Sequence, residues 1–271
     1  MDTSKIIALD LDGTLLNDQQ QISSKSQDVL KKIQDQGHKI IITTGRPYRS
    51  ALPYYQQLEL ETPLITFNGA LTTLPGKKWV HEKEYTIDKS YLVDLVDRQE
   101  EVQADFIVSE YRKKFFVHQQ DVSSLDPQLL GVDKITAQHQ LIPQKITKNP
   151  NAILFQTRFK DSDGLAQELM NYYQGEMTVS SWGGPYNILE CTPKGVHKAR
   201  ALKYLLDLYQ KQPAELIAFG DQLNDKEMLA FAGTGYAMQN ANTKLIDYAD
   251  QQIQWTNQED GVAQQLGQLF L

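Results

Sequence analysis

Two aspartates two residues apart, Asp10 and Asp12, directly follow the apolar run Ile6-Ile7-Ala8-Leu9. Such a run reads as a buried strand, and side chains two apart on a strand share a face, so both carboxylates can reach one cavity. Three further spots carry polar groups at expected strand ends or helix starts: Thr43-Thr44-Gly45, Lys198, and Asp221 with Asn224 and Asp225. In open parallel sheets ligands bind beyond the carboxyl ends of the strands, so these distant segments are expected to converge. Three carboxylates at one rim, Asp10, Asp12 and Asp221, would repel one another without a cation among them. Hard oxygen ligands select magnesium, which keeps positions open for water and a substrate phosphate. Thr44 and the Gly45 amide at a helix start can donate to an anion, Lys198 adds a compact positive charge, and Asn224 adds an amide donor. Such a site suits phosphate. Asp10 could attack phosphorus in line and form an aspartyl-phosphate, while Asp12 protonates the leaving oxygen and later takes a proton from the hydrolytic water.

The elements that must position these groups alternate along the chain. Ser23-Ser24 can cap a helix running through Gln36, which Gly37 ends. Lys39-Ile40-Ile41-Ile42-Thr43 reads as a second buried strand, Pro47 suits the first turn of another helix, and Leu64-Ile65-Thr66-Phe67 is a third strand ending at an Asn68-Gly69 turn. A helix from Lys198 to Tyr209, a strand at Glu215 to Phe219, a helix from Lys226, a strand from Thr234 to Met238 and a terminal helix resume the pattern. Continuous branched runs suit a parallel sheet covered on both faces, which predicts an α/β fold, a doubly wound, Rossmann-like core. Between these halves the texture is α+β. A helix from Lys89 to Val102 leads to strands near Phe106-Ile107-Val108 and Lys114 to Val117, then to a stretch punctuated by Pro127, Pro143 and Pro150. The strand Ile153-Leu154-Phe155, a helix from Ser162 to Tyr173, and strands from Met177 to Ser181 and Tyr186 to Glu190 follow. The expectation is a second domain at 85–187 inserted into a core of 1–84 and 188–271. Trp182-Gly183-Gly184 reads as a flexible connection that lets the insertion swing.

Composition removes several classes of function. With 41% hydrophobic and 23% charged residues in 271, the chain is an ordinary globular protein. Its net charge of −7 and lack of a dense Lys/Arg cluster argue against a nucleic-acid partner. Cys191 is the only cysteine, which excludes an internal disulfide and a multi-cysteine zinc site and leaves a core thiol. His38, His81, His118, His139 and His197 show no ligand spacing. The start of the chain has no export-signal pattern and no apolar run approaches the roughly 18 residues of a membrane span, so a cytoplasmic location away from membranes is expected.

Asp10-Leu11-Asp12-Gly13-Thr14-Leu15-Leu16, Thr44-Gly45-Arg46-Pro47, Gly195-Val196-His197-Lys198 and Gly220-Asp221-Gln222-Leu223-Asn224-Asp225 resemble, in order and spacing, the four motifs of haloacid dehalogenase-like phosphatases, most closely those of the Cof-type branch. The insertion falls between the second and third motifs, as that family's large cap does. The resemblance implies Asp10 as nucleophile and Asp12 as general acid/base. It implies magnesium held by Asp10, the Asp12 backbone carbonyl and Asp221. Phosphate would be held by Leu11 through its backbone, Thr44, Gly45, Lys198 and Asn224. Asp225 would orient Lys198 or a water beside the metal, and Gln222 would touch the metal's surroundings. Arg46 and Asn68 are candidate substrate contacts, set against the plainer readings of a surface arginine and an ordinary turn. Substrates in that family are small phosphorylated metabolites, commonly sugar phosphates and sometimes nucleotides or flavin mononucleotide, with the cap closing over the leaving group. A phosphomutase or phosphotransferase would use the same aspartyl-phosphate. A phospho-accepting regulatory module would also gather acidic residues, a Thr and a Lys, but Asp12 would shorten its phosphorylated state. A glycosyltransferase using Asp10 and Asp12 as a nucleotide-sugar clamp leaves Lys198 and Asn224 without a role.

Overall fold

The computed structural model describes residues 4–119, 121, 125–182 and 187–271. Gly183, Gly184 and Tyr186, which figure in the expected flexible connection and in a strand start, lie outside the described residues. The chain divides into two compact units, one of Met1–Arg46, Ala51–Glu82 and His197–Leu271, the other of Pro47–Ser50 and Lys83–Val196.

In the first unit, chain order gives β1 (Ile6–Leu9), α1 (Ser24–Asp35), β2 (Lys39–Ile42), α2 (Tyr48–Gln57), and the β3 (Leu64–Thr66) and β4 (Leu71–Thr73) hairpin. The first turn of α2 is grouped with the second unit. Ser23 caps α1 by accepting the Ser26 amide at 3.0 Å, and Gly37 follows with φ +91°, the left-handed geometry that ends a helix. β1 pairs in parallel with β2, Ala8 opposite Ile41. On its other side β1 pairs in parallel with the late strand Leu216–Gly220, Ala8 opposite Ala218. The sheet grows outward in both directions from β1, so the strand order reverses between β1 and that partner. In open α/β sheets the crevice at such a reversal receives ligands. Ile6, Ala8, Ile41 and Ile65 pack with Leu202, Leu205, Met228 and Leu229 on one face. Ile7, Leu9, Ile40 and Ile42, one residue out of phase, are equally buried on the opposite face. β1 and β2 are therefore apolar on both sides past Lys39, as the sequence reading requires.

The second unit opens with β5 (Lys83–Glu84) and α3 (Lys89–Asp97), then β6 (Ala104–Tyr111), β7 (Lys114–His118), β8 (Ala152–Thr157), α4 (Ser162–Tyr172), β9 (Met177–Ser181) and β10 (Ile188–Pro193). Its sheet has the order β7-β6-β8-β10-β9 and is antiparallel throughout. Leu92, Leu95 and Val96 of α3 and Leu165 and Leu169 of α4 pack on Ile107, Ile153, Phe155 and Leu189. Phe106, Val108, Phe115 and Leu154 face the other way, against Leu130 and Ile135. Cys191 is fully buried in β10, and burial raises its thiol well above the ordinary value, with Glu190 adding to the effect.

Two sequence expectations change, and one element had not been expected. The helix expected from Lys89 to Val102 ends at Asp97, where Arg98 leaves helical geometry with φ −95° and ψ 15°, and the turns that follow bring the Ala104 amide back to the Gln99 carbonyl to start β6. The core was expected to resume at 188, yet β10 hydrogen-bonds with β8 and β9, and the chain returns at His197. A short edge strand, Gln251–Gln252, has no apolar pattern to announce it.

The remaining elements of the first unit are α5 (Lys198–Tyr209), β11 (Leu216–Gly220), α6 (Lys226–Phe231), β12 (Thr234–Ala237), β13 (Gln251–Gln252) and α7 (Gly261–Phe270). No helix among the described residues is long and apolar enough to cross a membrane. Ile41, in β2, is fully buried. Ile41→Ala should cost about 2–5 kcal/mol of unfolding free energy, measured by urea titration. A loss under about 1 kcal/mol would contradict a packed face on that side.

Candidate active site

Asp10 stands one residue past β1 and Asp221 one residue past β11, on the two strands that flank the reversal. Lys198 opens α5 and Asp225 immediately precedes α6. The Lys198 ammonium donates to Asp10 Oδ1 at 2.6 Å and to Asp225 Oδ1 at 2.6 Å, and its side chain is 0% exposed. Asp225 Oδ2 accepts the amides of Asp221 at 3.0 Å and Gln222 at 3.1 Å. Asp221 accepts from Thr14 Oγ1 at 2.8 Å through Oδ1 and from Gln222 Nε2 at 3.2 Å through Oδ2.

Asp10, Asp221 and Asp225 each offer a carboxylate oxygen within 4.8 Å of the others. All three are buried, and the one ammonium in contact leaves two negative charges uncompensated. Burial raises the Asp10 carboxyl well above its ordinary value; Lys198 opposes this, while Asp225, Asp221 and Asp12 add to it. Burial, then Asp225, pushes Asp221 up to about 7, against the Thr14 hydrogen bond and Lys198. Burial also works against the Lys198 charge, but Asp10 and Asp225 outweigh it and hold the ammonium protonated. A buried set of hard oxygens with two excess negative charges is the donor chemistry a small divalent cation needs. Asp225 gives one oxygen to Lys198 and the other to two backbone amides, whereas Asp221 gives each oxygen to a single side chain and Asp10 gives Oδ1 to Lys198, so Asp10 and Asp221 are better placed to bind an ion.

One sequence expectation changes here. Asp12's carboxylate does not join the acidic cluster, and Asp225's does. Gly13 has φ +70° in the turn over Leu11–Leu15, and this turn carries Asp12 away. Asp12 instead accepts from Arg46 Nε at 2.7 Å and Nη2 at 2.5 Å, a bidentate pair in which Asp12 is 49% exposed. Arg46 also bonds Gln20 and lies 5.3 Å from the Tyr54 ring centroid. The arginine read as a substrate contact thus holds the second aspartate.

The other sequence-selected residues lie beside these. Thr44 is buried, its Oγ1 accepting the Arg46 amide at 3.1 Å. Asn68 Oδ1 accepts from Asn224 Nδ2 at 3.0 Å. A Cβ on Gly45 would stand 3.1 Å from that same Asn68 oxygen. Leu11 is buried, its carbonyl accepting the Leu16 amide at 2.9 Å. Sequence reasoning assigned no role to Thr14, although it quoted the residue within the first motif. It missed Asn240, whose Nδ2 bonds the Gly13 carbonyl at 2.8 Å from a loop with no chemical signature.

A doubly wound sheet with aspartates and one buried lysine at its reversal point is built for phosphoryl transfer. The family model of haloacid dehalogenase-like hydrolases matches residues 7–266. From Bacillus subtilis (strain 168), the 5-amino-6-(5-phospho-D-ribitylamino)uracil phosphatase YitU is 32% identical over 265 residues, covering 98% of this chain and 97% of YitU. The phosphatase YwpJ of the same strain is 30% identical, covering 98% of this chain and all of YwpJ (100%). The crystal structure of a haloacid dehalogenase-like hydrolase from Bacteroides thetaiotaomicron superposes with a TM-score of 0.82 at 29% identity, covering 98% of this chain and 100% of that one. The chain belongs to the haloacid dehalogenase-like hydrolases, in their Cof-type branch, and its activity is that of a phosphatase, a phosphoric monoester hydrolase.

Gly13 has positive φ, and a Cβ there would stand 2.3 Å from Asp221 Oδ2. Gly13→Ala should therefore displace Asp221, cost about 1–3 kcal/mol in stability and reduce phosphatase activity at least about tenfold. Wild-type turnover in this variant would contradict the observed approach.

Proposed function

We propose that the protein is a magnesium-dependent phosphatase that hydrolyses a small phosphorylated polyol or sugar through an aspartyl-phosphate on Asp10. The observation that carries this reading is the buried Asp10–Lys198–Asp225 chain next to Asp221. Lys198 fixes one oxygen of Asp10 and leaves the other to attack phosphorus, while the pair of electrons of the breaking P–O bond goes to the leaving oxygen. Asp10, Asp221 and the Asp12 carbonyl would hold magnesium. When bound, the ion offsets charge on the cluster and on the transferring phosphoryl group. The Leu11 backbone, Thr44, Gly45, Asn68, Asn224 and Lys198 would hold the phosphate oxygens, and Gln222 and Asp225 would keep Asp221 and Lys198 in place.

Asp12 would protonate the leaving oxygen and then take a proton from the water that opens the aspartyl-phosphate. Arg46 donates to both of its oxygens, which holds the Asp12 side chain in one orientation. The name of YitU supports a substrate in which a phosphate terminates a linear polyol, and phosphoribitylaminouracil is the first compound to assay. Release of stoichiometric orthophosphate distinguishes hydrolysis from mutase or phosphotransferase chemistry.

Asp10→Asn should retain the fold and lower kcat on an aryl phosphate by more than about 10³-fold. Activity within a factor of ten of wild type would rule out Asp10 as nucleophile. A second expectation concerns pH. Asp221 titrates at about 7 in the metal-free fold against an ordinary 3.8, and Asp10 is raised too. Stability from these raised carboxyls is fully present below about pH 4 and is lost as the pH rises towards 7, because the unfolded chain releases its protons first. In EDTA, Tm should fall across this window. Added magnesium should raise Tm more at pH 8 than at pH 5, since it competes with those protons. An equal or larger shift at pH 5 would sink the assignment of this cluster as the metal site.

A further inference from the structure

The turn after β3 touches the segments that carry Thr44, Lys198 and Asn224. Phe67 and Asn68 both take positive φ, +53° and +54°, and Gly69 follows at +103°. A bulky residue in the left-handed region is an outlier, and such geometry persists only where its surroundings over-determine it. The Phe67 side chain is buried, its amide donates to the Arg46 carbonyl at 3.2 Å, and the Asn68 amide donates to the Thr44 carbonyl at 3.0 Å. Gly69 approaches the start of α5 so closely that a Cβ would stand 2.7 Å from the carbonyl oxygen of His197, the residue before Lys198. All of these residues belong to the first unit.

What the turn delivers is the Asn68 carboxamide. Its Oδ1 accepts from Asn224 Nδ2 at 3.0 Å, and it fills the space over Gly45, where a Cβ would stand 3.1 Å from Oδ1 and 3.2 Å from Nδ2. Asn224 is exposed, and the carboxamide torsion of an asparagine is intrinsically broad, so alone it would present no fixed direction. An amide nitrogen carries two hydrogens. Donating one to Asn68 fixes the plane of the Asn224 group and with it the direction of the other.

We propose that Asn68 is a positioning residue for phosphate binding: it holds the Asn224 amide in the direction of the phosphate, and its part in the phosphate site is played through Asn224. This rests on the reading of Asn224 as a phosphate-binding residue. A donor already oriented loses little freedom when the anion arrives, and so contributes more to holding it. Glycine at position 68 would adopt the left-handed backbone without a Cβ in the way, but it has no group to hold Asn224. Backbone preference and the proposed role thus point to different residues at this position, which separates the role from that of a plain turn.

The test uses the full chain with magnesium, inorganic phosphate as competitive inhibitor and p-nitrophenyl phosphate as substrate. Asn68→Gly should keep Tm within about 3 °C of wild type, because glycine takes this φ freely. It should raise the Ki of phosphate about tenfold and lower kcat/KM about tenfold. The rise in Tm on adding magnesium should keep its wild-type size, since Asp10 and Asp221 are untouched. In an Asn224→Ala background the same change should add no further loss, because the two act in series. If Asn68→Gly fails to fold, Asn68→Ala leaves the chain stiffer at this point and carries the same expectations for Ki and for the double variant. A Ki within about twofold of wild type, losses that add to those of Asn224→Ala, or a magnesium shift that shrinks in parallel would each overturn the proposal. Asn224→Ala decides the underlying reading separately. If it leaves the Ki of phosphate unchanged, Asn224 does not hold phosphate and both fall; if it raises Ki and the Asn68 variants do not, only the role of Asn68 falls.

Discussion

A buried ammonium held between two buried carboxylates is the constraint on which the site depends. Lys198 has no access to water, so its charge is tolerable only because Asp10 and Asp225 both meet it. In turn it organises the strand ends. Asp10 follows β1 and Lys198 opens α5. Asp225 ties the ammonium to the backbone after β11 by accepting the amides of Asp221 and Gln222. Removing Lys198 would leave two buried carboxylates without their cation, an expensive outcome in a medium that screens poorly. Three separate segments are therefore held in register by one cation.

That arrangement needs the sheet beneath it. Because β1 and β11 are neighbours at the reversal of strand order, residues more than 200 positions apart in sequence end side by side, as the Thr14–Asp221 bond shows with a separation of 207. Chain connectivity leaves this spot free of crossover helices, and the packed faces of the sheet keep the strand ends from shifting. The loops that complete the site are short and left-handed where they turn hardest, at Gly13 and at Asn68.

The parallel core was legible from its branched apolar runs, because strands buried on both faces must be apolar at every position: Ile6 to Leu9, Lys39 to Ile42 and Leu216 to Gly220 emerge with small end errors. The placing of Asp10, Lys198 and Asp221 was legible for the same reason, since each abuts such a run or its helix. What the sequence hid was side-chain direction beyond a tight turn. Alternation along a strand puts Asp10 and Asp12 on one face, but the strand gives way after Asp10 to the tight turn over Leu11–Leu15, from which Asp12 meets Arg46. Asn240 and Thr14 were hidden differently. Each satisfies a single group across a tertiary contact, and no periodic pattern records such a contact. The end of the insertion was placed at 187, short of β10, because an apolar strand next to a boundary carries no mark of its partner.

Cys191 offers a practical consequence. Its thiol is sealed inside an antiparallel sheet and stays protonated at neutral pH, so it is a poor nucleophile towards maleimides and disulfide reagents. A cysteine introduced at an exposed position would thus be the only fast-reacting thiol on the molecule. Spin labels or fluorophores can be attached one at a time to the native background, without first deleting a residue from the core.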